Sequence, residues 1–225
     1  MKTLDQMFAV YEKDLVRRKA KTIKSIKQIY TKNISPVLGN KPIDTIVRGD
    51  IAQLHFDISD QAPSLANKTL SIIKSIYNLA ITLSLIETNP STNIPKNREN
   101  KRKRYLTNQE LLAVVGELRV MQKNPLYAVS VAFIWMLILT GARKGEIANA
   151  KWSDLVDNTL VLKNHKTERY GEDRIIHLTP MALEIIEQQE RDGEYIFSIK
   201  SPRRTWTTIT KKLGIEDVKM HDIRH

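Results

Sequence analysis

The sequence predicts a mainly α-helical protein with one small β-sheet, arranged as a helical bundle followed by a mixed α+β domain. Three features predict this. Apolar residues recur at helical spacing through residues 1–90, with no strand pattern among them. A basic segment with no apolar residue except proline, Pro95–Arg104, then interrupts the chain. Beyond it the helical pattern returns, broken by two short β-rich runs. With 225 residues, of which 41% are hydrophobic, the chain can bury two small cores.

In the first part, Leu4, Met7, Phe8, Tyr11 and Leu15 mark a helix over about 4–16. A second helix is expected from Thr22 to about Val37. Ile23, Ile26, Ile29, Tyr30 and Ile34 lie on one side of it, and Lys24, Lys27 and Lys32 largely on the other. Pro36 and Gly39 end it. A short third helix holds Ile51, Leu54, His55 and Ile58, and a long fourth runs from about Ser64 to Ile86, closing at Asn89-Pro90. These elements form a helical domain over 1–94. The linker, 95–104, carries six basic residues and one acidic residue, cannot bury a core, and is expected to be extended or mobile.

The second domain, 105–225, opens with Thr107-Asn108-Gln109-Glu110, a capping box that starts a helix running to about Val120. The apolar run from Leu126 to Thr140 is shorter than the roughly 20 residues a membrane helix needs and predicts a central core helix over about 125–139. Thr159–Leu162 and Arg174–Leu178 are expected strands, joined by the polar connection Lys163–Asp173. Thr179-Pro180 and Ser201-Pro202 are cap-then-proline signals for helices at about 180–191 and 202–213, with the short apolar run Tyr195–Phe197 between them.

The formal charge of +11 is unevenly placed. Residues 1–104 hold 19 Lys/Arg against 9 Asp/Glu, whereas residues 105–225 hold 17 against 16. Such asymmetry points to a polyanion held by the first part. Lys24 and Lys27, with Lys101, Arg102, Lys103 and Arg104 of the linker, are the candidate nucleic-acid-binding residues. The absence of cysteine removes disulfides, thiolate metal sites and cysteine nucleophiles, and permits a reducing compartment. The charged N-terminal stretch lacks a signal-peptide core, so a cytoplasmic protein with no membrane partner is expected. No metal-ligand spacing or phosphate-binding glycine loop occurs, and no cofactor is expected.

Two short words carry the chemistry. Thr140-Gly141-Ala142-Arg143-Lys144-Gly145-Glu146 follows the apolar helix, and His221-Asp222-Ile223-Arg224-His225 lies at the end of the sequence. Between them Lys166 sits in the expected strand connection. Taken singly, each has a plain structural role. Arg143 could simply pair with Glu146, Lys166 could be a solvated hairpin lysine, and His221 with Arg224 could cap a helix. Their joint order resembles the tyrosine recombinase (phage integrase) family. The first word is similar to that family's Thr-Gly-x-Arg-x-(Gly/Ser)-Glu and the second to its His-x-(Leu/Ile)-Arg-His.

The resemblance covers nearly the whole chain. It implies a SAM-like helical core-binding bundle, a basic linker and a mixed catalytic domain that is C-terminally incomplete. It implies site-specific DNA recombination, with the chain clamping double-stranded DNA between its domains. Attack on a phosphodiester without metal builds charge on the non-bridging oxygens, and two guanidiniums can bond them in pairs while staying charged. By resemblance these are Arg143 and Arg224, two preplaced cations of the kind that stabilise such a transition state. Lys166 is the implied proton donor to the leaving oxygen, with Lys163 as its local competitor. His221 is the implied proton shuttle and His225 the frequent second histidine. Glu146 resembles the acidic residue that orients the site, whereas His165 and His177 are expected to be structural or exposed.

The family's nucleophilic tyrosine follows the second word by a few tens of residues. All seven tyrosines here precede Arg224. The chain is therefore expected to bind DNA without forming the covalent link, and to be a fragment with uncovered apolar surface. The full-length family acts as a homo-oligomer on DNA, and a monomer is expected for this fragment. The alternatives are a catalytically inactive regulator that competes for recombination sites, and a helical module whose basic surface meets an acidic protein.

Overall fold

The computed structural model describes residues 2–99, 104–163 and 173–224. The chain divides into two compact units, Met1–Lys101 and Arg102–His225, each with its own hydrophobic core.

The first unit is helical: α1 (Leu4–Arg17), α2 (Ile23–Ile29), a π-helix (Tyr30–Gly39), α3 (Arg48–Ser59) and α4 (Pro63–Thr82). Thr3 caps α1, its side chain accepting from the Gln6 N–H while the Gln6 side chain accepts from the Thr3 N–H. The stripe of Leu4, Met7, Phe8, Tyr11 and Leu15 is wholly buried. α4 is the central rod. Leu70, Ile73, Ile76 and Tyr77 are buried along it, and α1, α3 and the π-helix pack on it.

The single helix expected over 22–37 is instead an α-helix that widens into a π-helix. Pro36 explains the change. It has no N–H to donate, and in an α-helix its ring would collide with the carbonyl four residues back. The wider coil accommodates the ring. Its last residue, Gly39, lies against Asp5, where an added Cβ would come within 2.5 Å of the carboxylate. Asp5 in turn accepts a hydrogen bond of 2.7 Å from the Tyr30 hydroxyl, whose ring stacks on Phe8 at 3.6 Å. Burial and then the Asp5 hydrogen bond push the Tyr30 hydroxyl far above its ordinary range.

The second unit contains α5 (Asn108–Met121), α6 (Ala128–Thr140), α7 (Lys144–Ala148), strands β1 (Leu155–Val156), β2 (Thr159–Leu162) and β3 (Arg174–His177), then α8 (Pro180–Glu187), α9 (Arg203–Lys212) and a 3-10 helix, Met220–Arg224. The strands form an antiparallel sheet in the order β1-β2-β3. α6 is the core helix: Val131, Phe133, Ile134, Trp135, Met136 and Leu137 are buried, and α5, α7, α8, α9 and the terminal 3-10 helix pack around it. A helix so surrounded is apolar on every side. Among the described residues no helix is long and apolar enough to cross a membrane.

Other details differ from expectation. α4 ends at Thr82 and α8 at Glu187, each about four residues early, and the sheet gains a strand that was not expected, β1, whose two residues are too few to show a period of two. Ser201-Pro202 starts its helix one residue late, with Pro202 at the cap position and Arg203 the first helical residue. The expected linker has no regular structure over its described first half, residues 95–99, yet it is hydrogen-bonded to the helical unit. Asn97 is held by both its backbone N–H and its backbone carbonyl. Its backbone N–H donates to Asn67 Oδ1 at 2.8 Å and its carbonyl accepts from Asn67 Nδ2 at 2.9 Å. Its side chain donates to Ser59 Oγ at 2.7 Å, and Asn67 Nδ2 also reaches Glu99 at 2.8 Å. The buried His55 ring completes the cluster, 3.2 Å from Asn67 Oδ1.

Candidate active site

The end of α6 sets up the site. Thr140 turns its hydroxyl back to the Met136 carbonyl and accepts from the Ala142 N–H. Gly141 then takes the left-handed conformation (φ 58°) that other residues adopt at a cost. This reversal buries Ala142 and delivers Arg143 to the start of α7. Lys200 fixes the other end of α7, its ammonium donating to the Ala148 carbonyl at 2.9 Å.

Glu146, on α7, is the centre of the arrangement, with only 8% of its surface exposed. Oε1 accepts from the Arg143 guanidinium at 2.7 Å. Oε2 accepts from the Arg143 N–H at 2.8 Å and from Arg174 Nε at 3.2 Å. Arg224 Nη1 stands 3.9 Å from the same Oε2. Burial opposes the charge on Glu146, but the Arg143 N–H and guanidinium bonds, with the Arg174 charge, outweigh it. The carboxyl is held below its ordinary range. The pair expected from the plainest reading of Arg143 is thus present, and two further arginines join it. Three cations meet one anion. Arg224 Nη1 is buried and has no hydrogen-bond partner among the described residues.

The second word is held as firmly as the first. Trp206 Nε1 donates to the Val218 carbonyl at 3.3 Å, and the buried Asp222 accepts from the Lys219 N–H at 2.8 Å. These bonds set the 3-10 helix against α6 and bring Arg224 to Glu146. His221 on the same helix is exposed. Lys163 is exposed just after β2, and His177 is exposed on β3. Lys166, His165 and His225 lie outside the described residues, as do Lys101, Arg102 and Lys103.

Of the remaining candidate DNA-binding residues, Lys24 is exposed on α2. Lys27 is exposed too and pairs with Glu12 at 2.8 Å. Arg104 spends its guanidinium inside the second unit, on both oxygens of Glu110 and on the Tyr105 carbonyl. That guanidinium, together with the Thr107 N–H, holds the Glu110 carboxyl down to about 2. Among the described residues no group of three or more His, Asp or Glu could hold a metal ion.

Arg174 stands in neither word, and the sequence does not single it out by composition. A signal exists in the strand period. Position 174 is in phase with the buried Ile176 and pairs in register with the buried Leu162. A cation at such an inward position needs an anion nearby.

A sequence model described as the phage integrase family matches residues 104–225, and one described as the phage integrase central domain matches residues 6–97. The chain belongs to the phage integrase family.

Among its relatives, the integrase of Enterobacteria phage 434 is 28% identical over 172 residues, 73% of this chain and 46% of that protein. The prophage integrase IntZ of Escherichia coli K12 is 23% identical over 168 residues, 74% of this chain and 41% of that protein. The chain thus spans less than half the length of these curated relatives. Among solved structures, a lambda integrase (75–356) dimer bound to a COC' core site superposes with a TM-score of 0.77 at 23% identity, covering 99% of this chain and 87% of that one. The Tn1549 transposon integrase in complex with circular intermediate DNA gives 0.68 at 17% identity, covering 100% and 85%. These likenesses establish the integrase fold, mainly helical with its small antiparallel sheet.

Proposed function

We propose that this chain is the DNA-gripping and phosphate-holding part of a site-specific recombinase. Residues 1–94 act as its core-binding domain, 95–104 as a basic linker and 105–225 as part of its catalytic domain. Arg143 and Arg224 hold the two non-bridging oxygens of one DNA phosphate. The observation that carries this is the charge imbalance at Glu146: three guanidiniums on one carboxylate, with a buried Arg224 nitrogen unbonded among the described residues. A half-buried cation with a buried, unbonded nitrogen calls for an anion. The relatives named as integrases, and the lambda integrase structures bound to DNA, support duplex DNA as the source of that anion.

In this reading His221 and a lysine of the β2–β3 connection, Lys166 or Lys163, manage protons at the phosphate. Lys24 and Lys27 touch the backbone from the helical unit. No tyrosine of this chain is assigned as nucleophile. In this reading the protein works as several protomers on paired DNA sites in the cytoplasm, a reducing compartment that the absence of cysteine permits. Fluorescence anisotropy of a labelled duplex, titrated from low to moderate salt, tests the grip. Affinity should fall by orders of magnitude, about 10³-fold or more if six phosphates are neutralised. A flat salt response would show that phosphates are not what the chain holds.

A further inference from the structure

We propose that Arg174 is a positioning residue of the phosphate pocket, holding Glu146 by Oε2 so that this carboxylate does not capture Arg224. The inference rests on the phosphate-holding reading above.

A carboxylate oxygen has two lone pairs in its plane. Both of those on Glu146 Oε2 are taken, one by the Arg143 N–H at 2.8 Å and one by Arg174 Nε at 3.2 Å. Arg224 Nη1 is therefore left at 3.9 Å, beyond hydrogen-bond range, although it is buried with no other bond among the described residues. Without Arg174 one lone pair opens. Arg224 would then close on it, and its guanidinium would be spent on Glu146 instead of on a phosphate. Arg174 thus adds its own positive charge and keeps a second one available.

Its place in the sheet gives it another task. Arg174 pairs in register with Leu162, so the two residues flank the connection 163–173 from either side. The Arg174–Glu146 bond ties the base of that hairpin to α7. Of the two candidate proton donors, Lys163 lies next to that base, whereas Lys166 lies outside the described residues.

The test uses the full chain and inorganic phosphate, read from the Nε–H signals of Arg143 and Arg224 in proton–nitrogen NMR spectra and assigned with single arginine-to-lysine variants. In the wild type, phosphate should shift both signals. Arg174→Met should bind phosphate about tenfold more weakly, the scale seen when partners that orient metal ligands are removed. Its Arg224 signal should already be displaced before any phosphate is added. Arg174→Lys, which keeps a charged donor for Oε2, should stay within about threefold of wild type.

Wild-type affinity in Arg174→Met with an unmoved Arg224 signal would overturn the proposal, as would an equal loss in Arg174→Lys. If Arg174→Met does not fold, Arg174→Gln supplies the same readings with a neutral donor. It should lose about threefold, the smaller strength of a neutral hydrogen bond, and no loss with an unmoved Arg224 would again overturn the proposal. A wild type whose arginine signals ignore phosphate would instead bring down the phosphate-holding reading. The displacement of Arg224 in phosphate-free Arg174→Met still reports separately on the lone-pair competition.

Discussion

Two polar clusters, one in each unit, are built on opposite terms. In the helical unit, His55, Ser59, Asn67 and Asn97 bond to one another, and nearly every donor finds an acceptor. Glu99 at its edge takes up a remaining Asn67 hydrogen. In the mixed unit, Arg143, Arg174 and Arg224 crowd the carboxylate of Glu146, and among the described residues one arginine nitrogen has no hydrogen-bond partner. Both clusters are costly to bury. The first repays its cost internally and works as a clasp that fixes where the linker leaves the bundle. The second stays short of negative charge, the condition of a site waiting for an anion. In the proposed reading, satisfaction, more than burial, separates the cluster that fastens the fold from the one that holds a phosphate.

Glu146→Ala strikes the ionic cluster hardest. With the carboxylate gone, three guanidiniums face each other, and the mixed unit should lose about 3–5 kcal/mol, the usual cost of breaking a buried pair from one side. Chemical denaturation followed by Trp206 and Trp135 fluorescence measures it. A loss below about 1 kcal/mol would mean that water already screens the cluster.

Asn67→Ala should cost less, about 2 kcal/mol, by leaving His55 and the Asn97 amide without their partner. Lys96 and Arg98 are exposed on either side of Asn97, so limited trypsin digestion should cut there faster in this variant. Unchanged digestion would show that the clasp does not fix the linker.

Arg224→Gln should leave stability nearly unchanged, because Arg143 and Arg174 still satisfy Glu146. Equal damage from Arg224→Gln and Glu146→Ala would erase the contrast between the clusters.

The smallest effect is on pH dependence. The folded state holds the Glu146 carboxyl below its ordinary value. Its contribution to stability is therefore fully present above about pH 4.3, the unfolded glutamate value, and is lost as pH falls through the lower folded value. As pH falls below about 4.3 into that acidic range the unfolding midpoint of the mixed unit should fall, and Glu146→Gln should flatten that fall.

What the sequence made legible follows from the range of each interaction. The Thr107–Glu110 capping box spans three residues and is present as expected, with Thr107 Oγ1 accepting from the Glu110 N–H at 3.2 Å and Glu110 Oε2 from the Thr107 N–H at 2.8 Å. The apolar run ending at Thr140 reads as a core helix because no face of it could meet water. β2 and β3 were legible from β-branched residues, whereas β1 is too short to carry a pattern. The π-helix depends on how Pro36 is accommodated, and periodicity alone does not show that. Asn97 was hidden in a segment read by composition, because one amide with a complementary partner is enough to anchor a polar strand. At the site, Arg143–Glu146 is a local pair. Arg174 and Arg224 reach Glu146 from 28 and 78 positions away, and only the family resemblance linked Arg224 to it.

The salt dependence of duplex DNA binding, compared between the wild type and an Arg143→Gln/Arg224→Gln double variant, tests the central claim most directly. If these arginines hold a phosphate, the double variant should bind more weakly at low salt, and its logarithmic salt slope should be shallower by about one for each phosphate no longer held. Identical affinities and parallel slopes would contradict the account, leaving the three arginines as a structural knot around Glu146.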